Sequence, residues 1–232
     1  MLATETFDEV VLYGSRGHSQ MIISVLQGLW QDRVRLRAVV DDLENGHLHP
    51  LLGVPVISGA ERQAAFPKVP VLLSMGNGDT RAKIVARLNG EGAVLATVIH
   101  RNAGRVAADV QFGAGSIVDP LTPISPNVVI GTGVQILAAA IGHDVTIGDF
   151  STLAIGCILN GHIQIGNLVS IGSGAVICNG RPGRPLRIGD GAVIGVGAVI
   201  LRDVAAGARM VGNPAMTVRD WARLRALVRR KA

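Results

Sequence analysis

From Val106 onward, aliphatic or aromatic residues return every six positions. They stand at Val106, Phe112, Val118, Ile124, Ile130 and Ile136, then at Ile141, Ile147, Leu153, Leu159, Ile165, Ile171 and Ile177, then at Ile188, Ile194 and Ile200. Glycine follows many of them directly, at Gly113, Gly131, Gly142, Gly148, Gly166, Gly172, Gly189 and Gly195. A period of six is neither helical nor a simple alternation. It suits short strands joined by tight turns that wind around a triangular prism. Each repeat sends one aliphatic inward, and small residues turn the corner, where positive φ favours glycine, asparagine or aspartate. The pattern predicts a parallel β-helix. Two steps break the period. Ile136 to Ile141 is one residue short, and Ile177 to Ile188 carries five extra residues at Arg181-Pro182-Gly183-Arg184-Pro185. Insertions in solenoids map to corner loops, often on the binding face.

The first hundred residues lack this period. "EVVLYG" is a buried-strand run, "HSQMIISVLQGLW" has helical spacing, "LRAVVDD" and "VPVLLSMGNG" are strands, "DTRAKIVARLNGEG" is a helix and "AVLATVIH" a final strand. Strands alternating with helices predict a small parallel, Rossmann-like α/β domain over 1–100. The β-helix follows over 101–216. Trp221, Leu224 and Leu227 or Val228 recur at helical spacing with arginines between, which predicts a short basic helix over 217–232 capping the last coil. The fold class is thus α/β followed by an all-β solenoid.

Composition agrees with a solenoid: 48% of residues are apolar but only 3% aromatic, and there are 30 glycines. The formal charge of +5 is concentrated in the tail, where Arg219 to Ala232 holds six basic residues against Asp220 alone. The body is balanced and almost free of stacking aromatics, which argues against nucleic acid as a partner. Cys157 and Cys178 lie in patterned apolar segments without Cys-x-x-Cys spacing and read as reduced thiols. The N-terminus has no basic region before an apolar run, and no segment is long and apolar enough to span a membrane. The expectation is a soluble, cytoplasmic protein.

Three loops carry candidate chemistry in the first half. Gly14-Ser15-Arg16-Gly17-His18 opens onto a helix, Asp41 and Asp42 end the second strand, and Gly76-Asn77-Gly78 ends the third. All three lie at the carboxyl edge of one parallel sheet, where open α/β sheets bind ligands, and a glycine-rich turn at a helix N-terminus suits a phosphate. The turn lacks Gly-x-Gly-x-x-Gly spacing, so a dinucleotide site is not supported. In the solenoid His143 stands beside Asp144, where other turns carry small residues; a structural histidine and a reagent both remain open on spacing alone. His18, His100, His143 and His162 show no metal-ligand spacing, and no metal is expected.

Several motifs occur in a telling order: "YGSRGHSQMIISVL", "VVDD", "LGVPVIS", "SMGNG", "VIHRNA", "GHDVTIGDF", "ILNGHIQIG", "IGVGAVILRDV" and "VGNPAM". From about Val10 to Met216 the chain resembles the hexapeptide-repeat sugar O- and N-acetyltransferases typified by the sialic acid O-acetyltransferase and the bacillosamine-pathway N-acetyltransferase. The resemblance implies a left-handed β-helix, acetyl-CoA as donor, a nucleotide-linked amino sugar or a sialic acid as acceptor, and a homotrimer with active sites between neighbouring solenoids. It places His143 as the catalytic base with Asp144 as its acidic neighbour, and Gly161 as a backbone donor to the oxyanion. It also implies Thr152, Gly161, Gly172 and Gly195 near acetyl-CoA, and Gly14, Gly17, His18, Asp41, Asp42, Gly76 and Asn77 around the nucleotide. One departure stands out. Thr152 occupies the place of the family's second histidine, and a threonine does not titrate near neutrality. N-acetylation of an amino sugar is the leading expectation. O-acetylation of a sugar hydroxyl and a non-catalytic nucleotide-sugar-binding protein are alternatives; a metal hydrolyase on the same scaffold would need a third converging histidine.

Overall fold

The computed structural model describes residues 7–15, 19, 20, 22, 23 and 34–229. The N-terminal sheet is built from Glu9–Tyr13, Arg35–Val40, His47–Leu48, Pro55–Ile57 and Val71–Leu73. Glu9–Tyr13 lies between Arg35–Val40 and Val71–Leu73 and pairs parallel with both, so chain direction across the sheet reverses at its end. Among the described strands of this sheet only His47–Leu48 runs antiparallel, at the edge. Alternate residues of the central strand serve two cores. Val10 and Leu12 pack with Ile22, Val39 and Leu72 on one face. Val11 and Tyr13 pack with Val40, Leu73, Val85 and Leu88 on the other, beneath the helix Gly78–Gly90. The strand Pro55–Ile57 and the helix Gly59–Ala65 were not among the elements expected from the sequence; that helix starts on a capping box between Ser58 and Glu61.

The expected final strand divides between the two halves. Leu95 bridges to Val71 of the N-terminal sheet, whereas Val98–Ile99 pairs with Ile117–Val118 and opens the solenoid. The solenoid has three mainly parallel sheets. Its coils stack in register: Val145 pairs with Ile163, Leu153 with Ile171 and Leu159 with Ile177, each one full coil later. The six-period aliphatics fill one interior column in which Ile124, Ile136, Leu153, Ile171, Ile177 and Ile194 are all buried. Both period breaks occur at corners. The deletion shortens the turn Leu137–Ala139, and the insertion separates Val176–Ile177 from Leu186–Ile188.

The corner glycines act differently from expectation. Positive φ is found at a second set, including Gly115, Gly133, Gly156 and Gly174, and also at Leu121, Asn127, Ala138, Asp144, Phe150, His162 and Leu168. The glycines that follow the aliphatics are needed for close approach instead. A Cβ on Gly142 would stand 2.5 Å from the backbone of Asn160 in the next coil. Corner aspartates and asparagines bind the coils together from outside: Asp149 Oδ1 accepts the Thr132 N–H at 2.7 Å, and Asn167 Oδ1 that of Asp149 at 2.8 Å. After Arg209–Val211 the chain turns back through Met216–Thr217 into the helix Val218–Arg229, on which Trp221 and Leu224 remain exposed.

Candidate active site

The three loops expected at the carboxyl edge do converge. They line a cavity of about 400 Å³ walled by Tyr13, Gly14, Ser15, Asp41, Gly76 and Asn77 among others. Gly14 has φ +112°, and a Cβ there would lie 2.6 Å from Ser74 Oγ, so no other residue fits. Asp41 shapes its own turn: it accepts the Leu43 N–H at 2.9 Å and the Ser15 hydroxyl. Asp42 is committed to the fold, because it accepts from Tyr13 Oη at 2.5 Å and from the Gly59 N–H at 2.7 Å and pairs with Arg87 at 2.9 Å. Asn77 caps the helix Gly78–Gly90 through the Thr80 N–H. Gly17 and His18 lie outside the described residues.

Arg81, four residues into this sequence of loop and helix, was not singled out from the sequence. It is fully buried and joins the halves of the molecule. Its guanidinium donates to Met75 and Gly76 carbonyls at 2.8 and 2.9 Å, and to Gly133 O, Phe150 O and Thr152 Oγ1 at 2.9, 2.7 and 2.8 Å. Burial pulls its pKa down to about 10, so it stays charged at neutrality. Thr152 is thereby accounted for: its hydroxyl accepts from Arg81 at the seam between domains.

The second constellation occupies the corner between the sheet of Ile158–Leu159 and the sheet of Ile163–Ile165. His143 Nδ1 lies 2.6 Å from Asp144 Oδ2. Asp144 has φ +57°, and Asn127 donates to its other oxygen. The hydrogen bond from His143, then that from Asn127, holds this carboxyl below its ordinary pKa. His162, one coil on and also left-handed, brings Nδ1 to 3.5 Å from the same carboxylate and meets the His143 ring edge-on at 4.9 Å between centroids. His143 is more than half exposed and His162 about a quarter. Imidazole held by carboxylate through Nδ1 leaves Nε2 to take a proton from outside. Gly161 lies under the ring, where a Cβ would come within 2.7 Å of His143 Nε2.

Residues 9–88 match the PglD N-terminal domain family. Over 156 residues, 65% of this chain and 70% of the relative, the sequence is 37% identical to a GDP-perosamine N-acetyltransferase of Escherichia coli. The chain belongs to the sugar N-acetyltransferase family. Its fold superposes on WeeI from Acinetobacter baumannii with a TM-score of 0.80 at 31% identity, covering 90% of this chain and 99% of that one. It superposes equally on the acetyltransferase domain of PglB from Neisseria gonorrhoeae in complex with acetyl coenzyme A, with a TM-score of 0.80 at 25% identity over 91% and 99% of the two chains.

Within this sugar N-acetyltransferase fold, the donor residues expected from resemblance do not gather at one point. The Gly161 N–H, expected to face the oxyanion, donates to Asn179 Oδ1 at 2.7 Å. Gly172 and Gly195 stand at another corner, packed under the backbone of the following coil. Thr152 faces Arg81. Sequence spacing showed no metal pair, yet in space His143, Asp144 and His162 each offer a ligand atom within 4.8 Å of the others and could hold a divalent ion. The positive φ that stacks His162 above Asp144 is invisible in residue spacing. Both cysteines are free; Cys157 is buried, which pushes its thiol up to about 12, and Cys178 is half-buried. No helix among the described residues is long and apolar enough to cross a membrane.

Proposed function

We propose that the enzyme moves the acetyl group of acetyl-CoA to the amino group of a nucleotide-linked amino sugar, with His143 as general base. The observation that carries this reading is the exposed His143 ring anchored by Nδ1 to Asp144. The amine attacks the thioester carbonyl, its proton passes to Nε2 of His143, and the tetrahedral intermediate collapses as the thiolate leaves and takes a proton. Asp144 holds the tautomer with Nε2 free and stabilises the imidazolium that forms. Asn179, whose Oδ1 accepts the Gly161 N–H, belongs to the same corner, and its Nδ2 is the donor we assign to the oxyanion in place of that amide. The cavity at Gly14, Asp41 and Gly76 takes the nucleotide, so that binding energy remote from the amine orients it.

The same reading includes a homotrimer. The outer face of the sheet beside His143 is aliphatic at Ala140, Ile158, Val176 and Val199, with Ile158 exposed, while the next sheet shows Thr146, Gln164 and Arg187 to solvent. A neighbouring copy covers that apolar face and closes the site, giving an assembly of about 72 kDa.

Thiol release from acetyl-CoA, screened with GDP-, UDP- and dTDP-linked amino sugars, tests the reaction. His143→Ala is expected to lower turnover about 10²–10⁴-fold with its circular dichroism spectrum unchanged. Turnover equal to wild type would remove His143 as the base.

A further inference from the structure

The five-residue insertion meets the solenoid at the catalytic corner. Its first leg is tied down where the Gly180 N–H donates to Gly161 O at 3.0 Å, and its second where the Leu186 N–H donates to His162 O at 3.0 Å. The loop therefore rises one coil beyond His162 and two beyond His143, or about 10 Å from it along the stack. Its own geometry is tight. The Arg184 N–H donates to Arg181 O at 2.9 Å, and the Arg181 N–H returns the bond to Arg184 O at 3.0 Å. Pro182 and Gly183, the latter at φ +73°, fill the central positions of a type II turn. Arg181 and Arg184 are thus held at the two ends of one turn, and both are exposed.

Arg202 adds a third cation. Ile177 pairs with Ile200, so Arg202 stands in register with Asn179 at the same corner, one coil beyond. Among the described residues no acidic side chain pairs with any of the three arginines. The nearest acid in sequence, Asp203, accepts the Arg187 N–H at 2.9 Å. Three unpaired guanidinium groups on one corner repel one another and favour a multivalent anion, and the planar guanidinium fork matches phosphate oxygens two at a time.

We propose that Arg181 and Arg184, aided by Arg202, form a phosphate clamp that holds the phosphorylated end of a substrate whose reacting end lies at His143. The inference rests on the acyl-transfer reading. Both the 3′-phospho-ADP moiety of acetyl-CoA and the diphosphate of the sugar nucleotide have this chemistry, and the test separates them.

The experiment compares the full-length protein with the double variant Arg181→Ala, Arg184→Ala. KM is measured at low salt for acetyl-CoA, for S-acetyl-pantetheine, which lacks the nucleotide, and for the sugar nucleotide. Loss of the clamp in the variant is expected to raise KM for one phosphorylated substrate about tenfold and leave that for S-acetyl-pantetheine unchanged. Added salt weakens the wild type more than the variant. A rise confined to acetyl-CoA assigns the anion to the donor; one confined to the sugar nucleotide assigns it to the acceptor. KM values within about twofold of wild type for both would overturn the clamp. Calorimetric titration with adenosine 3′,5′-bisphosphate and with GDP is independent of turnover. Weaker binding of either by the variant sustains the clamp even if no sugar is acetylated, and equal binding of both defeats it.

Discussion

The two halves are held together by different means, and their chemistry follows from that. In the N-terminal half each side chain has an individual post: Asp42 ties Tyr13, Gly59 and Arg87, and Ser74 packs into the space left by Gly14. Its cavity is the gap left where such posts meet at the end of a sheet. In the solenoid the same few contacts recur coil after coil, so a repeat that obeys the rule has nothing to offer a substrate. Chemistry appears where the repeat is violated. His143 replaces a small residue, His162 puts an imidazole at the left-handed corner position that Asn127 and Asp144 hold in the two preceding coils, and five residues are inserted one coil further on.

Arg81 is the sharpest test of how far the halves are separate. Replacing it with methionine leaves the carbonyls of Gly133 and Phe150 without their donor in a buried seam. The loss is expected to be about 3–5 kcal/mol, read by chemical denaturation as a lower midpoint for the whole chain. Two resolved transitions, with the solenoid's unmoved, would show that the halves are stabilised independently.

Gly161→Ala probes the solenoid alone. The added methyl meets the His143 ring, which swings aside at little cost to stability but loses its place against Asp144. Turnover is expected to fall about 10²-fold while Tm stays within a degree or two. Full activity would mean that the ring geometry at Asp144 does not matter to the reaction.

The smallest effect is at Asp119, in the corner after Ile117–Val118. This carboxyl is almost completely buried, its Oδ1 has no hydrogen-bond partner, and burial pushes its pKa up to about 6. The folded state thus holds the proton more tightly than the unfolded chain, whose pKa is near 3.9. The contribution is favourable below about pH 4 and is lost as pH rises through about 6. Asp119→Asn removes the buried charge and is expected to add about 1–2 kcal/mol at pH 7 and little at pH 4, as urea titrations at the two pH values would show. An equal change at both would point to packing instead of charge.

How much of this was legible in the sequence varies with the physical cause. The interior column from Val106 to Ile200 was plain because one aliphatic per face is a direct demand of the prism. The convergence of Gly14, Asp41 and Gly76 was legible because strand ends of a parallel sheet share an edge. The purpose of the glycines was misread, since close approach of a neighbouring coil leaves the same residue as a positive φ does. Arg81 was hidden in an ordinary helical run, and its worth depends on carbonyls about fifty to seventy residues away. Likewise the engagement of Gly161 by Asn179 follows from stacking, which a linear period does not display.

The segment leading into the solenoid gives Leu95 to one sheet and Val98–Ile99 to the other. There is consequently no hinge of free chain between Leu95 and Val98 at which the N-terminal half could be exchanged. Grafting a relative's N-terminal half onto these coils would have to bring along its own first rung, and with it the strand Ile117–Val118, whose two residues pack one into each core. On the proposed reading of the cavity as the acceptor's nucleotide site, acceptor preference is expected to drift by substitution within it more readily than by recombination of whole domains.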